Sequence, residues 1–199
     1  MKAFVTLIAG LAVLAVLSVS SAAPEQQMTP SVAKAPDFTA TGFKGETIKL
    51  SDYKGKVVVL EWVNPDCPFV QRHYNEGTFK KLAVKYTDKG VAWLAVNSTS
   101  SQDASRSADW AKQYDLPYPI IVDKDGHVGK LYGAKTTPHL FVIGRDGQLL
   151  YEGAVDDDPD GKKDHRDVFV EDAIQAALSD KAPATRETKS YGCSVKYPG

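Results

Sequence analysis

The chain has 199 residues, 43% of them hydrophobic, and its 24 basic and 25 acidic residues give a formal net charge of −1. A nearly neutral chain without a basic tract lacks the charge pattern of a nucleic-acid-binding protein. Its length and apolar content suit one domain with a sizeable core.

Residues 1–23 predict a cleavable secretory signal peptide. Lys2 provides the positive start, Phe4 to Val19 form a short apolar run, and Ser21-Ala22-Ala23 fits a small-residue cleavage site. An uncleaved membrane anchor is the alternative. We therefore expect a periplasmic or secreted protein. Residues 24–35 are rich in Pro, Ser and Gln and predict a flexible tether, followed by a domain over 36–182 and a tail over 183–199.

The domain pattern predicts an α/β fold, with a mixed central sheet, helices on both faces and an N-terminal β-hairpin. Strands are expected at 37–39, 47–50, 57–60, 91–96, 120–122, 140–143 and 149–153. Helices are expected from Pro68 onward with an interruption at Asn75 and Gly77, at 103–114, and at 166–178.

Cys67 is the most informative residue. It follows the buried strand Val57–Leu60 and precedes Pro68, and proline is favoured at the first position of a helix. Cys67 should therefore lie at a helix N-terminus, where the helix dipole and free N–H groups stabilise a thiolate. Thiolates are the reactive form of cysteine, so Cys67 is the candidate nucleophile.

A second proline, Pro138, opens the later apolar strand Leu140–Ile143. Together with Cys67-Pro68-Phe69-Val70, a Gly144–Gly147 hairpin and the tail Gly192–Tyr197, it resembles the thioredoxin fold. The resemblance is to the redoxin branch, specifically a peroxiredoxin-like subgroup of the alkyl hydroperoxide reductase/thiol-specific antioxidant superfamily. It covers roughly residues 36–180.

This resemblance implies a cis Thr137–Pro138 bond beside the reactive sulfur. It also places Glu61 in the slot of the buried acid that transfers protons beneath a thioredoxin site; an outward-facing Glu61 paired with a lysine is the alternative. We accordingly expect Cys67, Cys193, Pro138 and Glu61 to be catalytic. The substrate is expected to contact the residues around the sulfur, namely Asn64, Pro65, Pro68, Phe69 and Thr137.

Cys193 is the only other cysteine of the chain. Val70 stands where thioredoxins carry their second cysteine, so Cys193 is the one intrachain thiol able to resolve an adduct of Cys67. A permanent Cys67–Cys193 disulfide in an exported protein is the structural alternative.

Two other sites are weaker. His73 and His139 can lower the pKa of Cys67 or, with Cys67, bind copper, which gives a non-catalytic alternative. Each can equally be a surface histidine or a core histidine with its hydrogen bonds satisfied. The run Asp156–Gly161 matches the first part of a calcium loop, although Pro159 stiffens it and the usual Glu is absent. We expect no cofactor.

The expected function is thiol oxidoreduction, on a protein disulfide or a small hydroperoxide, with a separate thiol reductant. In standard peroxiredoxins a threonine lies three residues before the cysteine, and here that position is Asn64. The missing hydroxyl weakens the case for efficient peroxidase activity and favours thiol–disulfide exchange.

Overall fold

The computed structural model describes residues 33–199. Its strands are β1 (Thr39–Thr41), β2 (Thr47–Lys49), β3 (Val57–Trp62), β4 (Val91–Asn97), β5 (Ile120–Val122), β6 (Thr136–Thr137), β7 (His139–Ile143), β8 (Leu149–Gly153) and β9 (Cys193–Ser194). Its helices are α1 (Pro68–Asn75), α2 (Thr78–Thr87), α3 (Ala104–Tyr114), α4 (His127–Tyr132) and α5 (Phe169–Leu178), with a short 3₁₀ turn at Leu50–Tyr53.

The central sheet has five strands in the order β5-β4-β3-β7-β8. β3 pairs in parallel with β4 and antiparallel with β7, so the sheet is mixed, as predicted. β3 is buried along its whole length, which explains why its sequence is a continuous apolar run rather than an alternating one. β1 and β2 form the predicted N-terminal hairpin.

Alternate residues of β3 point into two separate cores. Val57 and Val59 pack among side chains of α1, α2, α3 and α5. Val58, Leu60 and Trp62 pack on the opposite face, with α4 and the N-terminal hairpin. The prediction of helices on both faces is therefore confirmed.

Three elements were not predicted. α4 begins at His127, after the N-cap Gly126, and the Asp123 carboxylate accepts the backbone N–H groups of Val128 and Gly129 in its first turn. β6 and β9 have two residues each and form a small separate sheet. A strand of two residues is too short to show the alternation of apolar and polar residues by which a strand is predicted.

Two predicted boundaries also differ. α5 begins at Phe169 rather than at 166, because Arg166 pairs instead with Glu76 at 2.8 Å. Part of the predicted tether is docked: Ala35 donates to the Gly147 carbonyl, and Lys34 bridges to Gln148. The rest of the tether and the predicted signal peptide lie outside the described residues. None of the helices in residues 33–199 has the length and hydropathy of a membrane span.

Candidate active site

Cys67 lies at the N-cap of α1, as its sequence context predicted. The turn that leads to it is held by Asn64, whose backbone carbonyl accepts the Cys67 N–H at 2.9 Å and whose side chain accepts the Asp66 N–H at 2.9 Å. Pro68 occupies the start of the helix. The turn and the proline together fix the position of the Cys67 sulfur relative to the end of β3.

The sulfur of Cys67 faces the Thr137–Pro138 segment. The Sγ atom lies 3.0 Å from the Thr137 carbonyl oxygen, to which a protonated thiol donates. The Thr137–Pro138 peptide bond is cis, which confirms that prediction. Only 1% of Cys67 is exposed, so this sulfur is covered.

The C-terminal tail folds back in the same chain and provides the cover. β9 pairs antiparallel with β6, in a register that places Cys193 opposite Thr137. Gly192 allows the close approach: a Cβ atom there would lie 2.1 Å from the Thr137 oxygen, and its φ is +119°. Both cysteines are free thiols, so the structure represents the reduced form.

The two sulfurs influence each other's ionisation. Burial raises the pKa of Cys67, but donors outweigh it, chiefly the Cys193 thiol and the Val70 N–H in the first turn of α1, so the net pKa is lowered. Burial, together with the hydrogen bond and charge of the neighbouring Cys67, raises the pKa of Cys193 to about 11. Cys67 is therefore the thiol of the pair that ionises first, and Cys193 stays protonated and donates to it.

Glu61 is completely buried in β3, beneath the helices that carry the site. The Trp93 Nε1 donates to its Oε2 at 2.8 Å, while Oε1 has no hydrogen-bond partner among the described residues. Burial raises the pKa of Glu61 to about 8 despite the Trp93 bond. The alternative of an outward-facing Glu61 paired with a lysine is wrong. Within residues 33–199, Glu61 makes no hydrogen bond to either cysteine.

His73 and His139 are both buried and face other partners. His73 Nε2 lies 2.9 Å from the Tyr191 hydroxyl, and His139 Nδ1 accepts the Lys135 N–H at 3.3 Å. Burial lowers the pKa of His73 to about 3 and that of His139 to about 4. Both imidazoles are neutral at neutral pH and add no positive charge beside Cys67. Residues 33–199 contain no cluster of three or more His, Cys, Asp or Glu side chains suited to a metal ion.

The acidic run at 156–161 is not arranged as a calcium loop. Asp156 accepts the Tyr191 hydroxyl at 2.5 Å, Asp157 pairs with Lys163, and Asp158 accepts the backbone N–H of Lys162 at 2.9 Å. These protein donors take up the carboxylates that a cation would need. The loop is thus a structural junction.

The expected substrate-contacting residues divide into two groups. Asn64 and Pro65 are buried in the turn, where the Asn64 side chain also accepts from Gln102 at 3.0 Å. Pro68 and Phe69 are more exposed and line a shallow cleft of about 250 Å³, together with Arg72, Pro159 and Asp160. Thr137 lies between the two cysteines. Of these five residues, Pro68 and Phe69 are accessible, whereas Thr137 is buried along with Asn64 and Pro65.

One residue of the site escaped sequence analysis. Tyr191 lies two positions before Cys193, donates to Asp156, lies beside His73, and packs against Phe69 with ring centroids 6.0 Å apart. Its proximity to Cys193 in sequence was the one available signal. The partners come from distant segments, which no local pattern connects.

Comparison with known proteins defines the family. A model of the AhpC/TSA family matches residues 32–152. The chain belongs to the AhpC/TSA family. This confirms the redoxin resemblance, and Cys193 lies beyond the matched region of this AhpC/TSA protein.

Individual relatives agree with this assignment. The chain is 36% identical over 123 residues to the thiol-disulfide oxidoreductase ResA of Bacillus thuringiensis subsp. konkukian, which covers 60% of the chain and 66% of that relative. A hypothetical protein from Sinorhizobium meliloti 1021 has a crystal structure that matches with a TM-score of 0.76 and 28% identity, over 84% of this chain and 94% of the other. A secreted disulfide oxidoreductase of Mycobacterium tuberculosis matches with a TM-score of 0.51 and 22% identity, over 56% and 79% of the two chains. The last similarity shows the fold alone, and the predicted thioredoxin-like architecture is confirmed.

Proposed function

We propose that this protein is a thiol–disulfide oxidoreductase in which Cys67 is the nucleophile and Cys193 resolves the adduct within the same chain. The observation that carries the proposal is the pairing of β9 with β6, which places Cys193 opposite the residue whose carbonyl contacts the Cys67 sulfur. The similarity to ResA supports exchange with a protein disulfide as the reaction.

The reaction has two exchange steps. The Cys67 thiolate attacks one sulfur of a substrate disulfide, which forms a mixed disulfide and releases the first substrate thiolate. Cys193 then loses its proton and attacks the Cys67 sulfur, which forms the Cys67–Cys193 disulfide and releases the second substrate thiolate. A dithiol protein reductant returns the pair to the thiol state. The substrate gains two electrons, and the cysteine pair supplies them.

The ionisation of the pair favours this order. In the resting protein Cys193 is protonated because burial and the neighbouring Cys67 charge raise its pKa to about 11. Once Cys67 is in a mixed disulfide, its charge is gone and the Cys193 proton is more easily lost. Cys193 thus becomes a nucleophile only after Cys67 has reacted.

Substrate entry requires the tail to move. Cys67 is 1% exposed, and the segment around Cys193 covers it. Transient release of β9 uncovers the sulfur beside Pro68, Phe69 and Thr137, which we propose contact the substrate. The two-residue pairing of β9 makes local opening less costly than opening of the central sheet.

Hydroperoxide reduction is the second candidate, favoured by membership of the AhpC/TSA family. In that reaction the Cys67 thiolate attacks the terminal peroxide oxygen, the O–O bond breaks and the alcohol leaves, so that Cys67 becomes a sulfenic acid. Cys193 then displaces water from that sulfur to form the same disulfide. The Asn64 side chain is occupied by Asp66 and Gln102 and offers no hydroxyl to position a peroxide. We therefore expect peroxidase turnover, and any antioxidant role, to be slower than disulfide exchange.

Glu61 is proposed as a proton reservoir beneath the site. Its pKa of about 8 allows both protonation states near neutral pH, and its Oε1 is unpartnered among the described residues.

Export to the periplasm or medium is proposed from residues 1–23 and can be tested by N-terminal sequencing of the mature protein. A start at residue 24 is expected, and retention of residue 1 in the exported protein would contradict it.

The decisive experiment maps the cysteines by mass spectrometry. Reduced protein is treated with a substrate protein disulfide or with a hydroperoxide, quenched with acid and analysed for the Cys67–Cys193 bond. The wild type should form this bond, Cys193→Ser should accumulate the Cys67 mixed disulfide or over-oxidised Cys67, and Cys67→Ser should not react. A Cys193→Ser variant that turns over normally with a protein reductant would refute the resolving role. If Cys193→Ser instead lowered the melting temperature, and Cys67 proved unreactive in both the wild type and this variant, the Cys67–Cys193 disulfide would be structural.

A further inference from the structure

The tail is tied to α1 by a buried polar cluster around Tyr191. The Tyr191 hydroxyl donates to Asp156 Oδ1 at 2.5 Å and lies 2.9 Å from His73 Nε2 and 3.3 Å from Arg72 Nη2. From these contacts we infer that Tyr191 is a positioning residue that holds Cys193 over Cys67. The inference rests on the proposed resolving role of Cys193.

Each hydrogen in the cluster has a definite place. The single Tyr191 proton goes to Asp156, because that contact is the shortest. Arg72 Nη2 donates to His73 Nε2 at 3.0 Å, so this nitrogen is the acceptor, and its partner Nδ1 faces the Thr78 hydroxyl at 3.4 Å. The other Asp156 oxygen lies 3.3 Å from Arg166. Burial raises the pKa of Asp156, while the Tyr191 hydroxyl and the nearby Arg166 charge favour its carboxylate form.

The cluster connects both cysteines to helix α1. Cys67 caps the N-terminus of α1, and Arg72 and His73 lie on the same helix. The Tyr191 oxygen accepts from Arg72 at 3.3 Å and its ring packs on Phe69, which also belongs to α1, and Cys193 follows after only one residue. Gly192 between them is pressed against the Thr137 carbonyl. The distance between the sulfurs is thus set by the helix on one side and by the β6–β9 pairing on the other.

The Tyr191 ring makes a separate contribution. It packs on Phe69 and near His73, at centroid distances of 6.0 and 6.2 Å. Tyr191→Phe keeps this packing and removes only the hydroxyl, which leaves Asp156 Oδ1 with the Asp158 N–H at 3.1 Å as its remaining donor. Loss of a hydrogen bond to a charged group is expected to weaken docking of the Cys193 segment about tenfold.

The test measures the effective concentration of Cys193 at Cys67, which is obtained from the equilibrium of the Cys67–Cys193 disulfide with glutathione. Wild type, Tyr191→Phe and Asp156→Asn are equilibrated in glutathione buffers, and the Cys67–Cys193 disulfide is quantified by mass spectrometry. The rate at which Cys193 resolves a preformed Cys67–glutathione mixed disulfide is measured in the same variants. Tyr132→Phe is the matched control, because its hydroxyl donates to the Pro36 carbonyl, away from the tail.

Tyr191→Phe and Asp156→Asn should each lower the effective concentration and the resolution rate about tenfold, while Tyr132→Phe changes neither. The Tyr191→Phe/Asp156→Asn double variant should be no worse than the stronger single variant, because both remove one bond. The first step should stay as fast or become faster, which a general loss of structure would not produce. Unchanged values in Tyr191→Phe and Asp156→Asn would overturn this inference alone. A wild type that never forms the disulfide would overturn the proposed function as well.

Discussion

The carbonyl oxygen of Thr137 lies 3.0 Å from the Sγ atom of Cys67. The same residue pairs with Cys193 across the β6–β9 sheet, so one backbone unit brings the two cysteines together. A carbonyl favours the protonated thiol, whereas the Cys193 thiol and the Val70 N–H favour the thiolate. The ionisation of Cys67 therefore depends on whether the tail is docked.

The first prediction concerns this dependence. Cys193→Ala removes a donor and should raise the pKa of Cys67 relative to the wild type, whereas Cys193→Ser keeps a hydroxyl donor and should raise it less. The measurement is the pH dependence of thiolate ultraviolet absorbance, with Cys67→Ser as the background. Equal Cys67 titrations in all three proteins would show that Cys193 does not stabilise the thiolate.

The second prediction concerns Gly192. An alanine Cβ would lie 2.1 Å from the Thr137 oxygen at a φ of +119°, so Gly192→Ala should displace β9 and expose Cys67. We expect roughly tenfold faster alkylation of Cys67 and a loss of about 1–3 kcal/mol in the free energy of unfolding.

The matched control for this variant is Gly55→Ala. Gly55 has a φ of +85° but no atom near the added Cβ. It should lose stability from backbone strain without faster alkylation of Cys67. The same alkylation rate in Gly192→Ala and in the wild type would mean that the tail does not limit access.

The third prediction concerns Glu61 between pH 4.5 and about 8. Burial raises its folded pKa from 4.5 to about 8, so between these values the folded protein retains a proton that the unfolded chain has released. Wild-type stability should therefore fall as pH rises through this window, by up to about 1.4 kcal/mol per pH unit. Glu61→Gln should remove this slope, as measured by urea unfolding at several pH values. A slope that is identical in the variant would contradict the assignment.

The fourth prediction concerns His73 at acid pH. Burial lowers its folded pKa from 6.5 to about 3, so below pH 6.5 the unfolded chain binds a proton that the folded protein does not. Stability should fall as pH drops through this range, and His73→Gln should show a shallower loss. His127→Gln, at an exposed position, is the control and should behave as the wild type. If His73→Gln loses stability on acidification as steeply as the control, the buried neutral imidazole is not the cause.

Local features of the sequence were sufficient to predict the position of Cys67. The apolar run before Cys67 and the proline after it predicted a thiol at a helix start, because chain geometry over a few residues decides both. The break of the helix near Gly77, the positions of the central strands and the cis Thr137–Pro138 bond were also predicted correctly.

The surroundings of that thiol were decided only by tertiary structure. Docking of the tail depends on a two-residue strand and on contacts between segments more than 50 residues apart, such as Thr137 with Cys193. His73 was predicted to be either a surface or satisfied core histidine or a neighbour of Cys67 or a metal, and the structure shows a buried histidine that accepts from Arg72 and lies beside Tyr191. The residues around Cys67 were enough to predict which cysteine lies at a helix start. How closely the second cysteine lies depends on hydrogen bonds that form only once the sheet and α1 have brought their residues together.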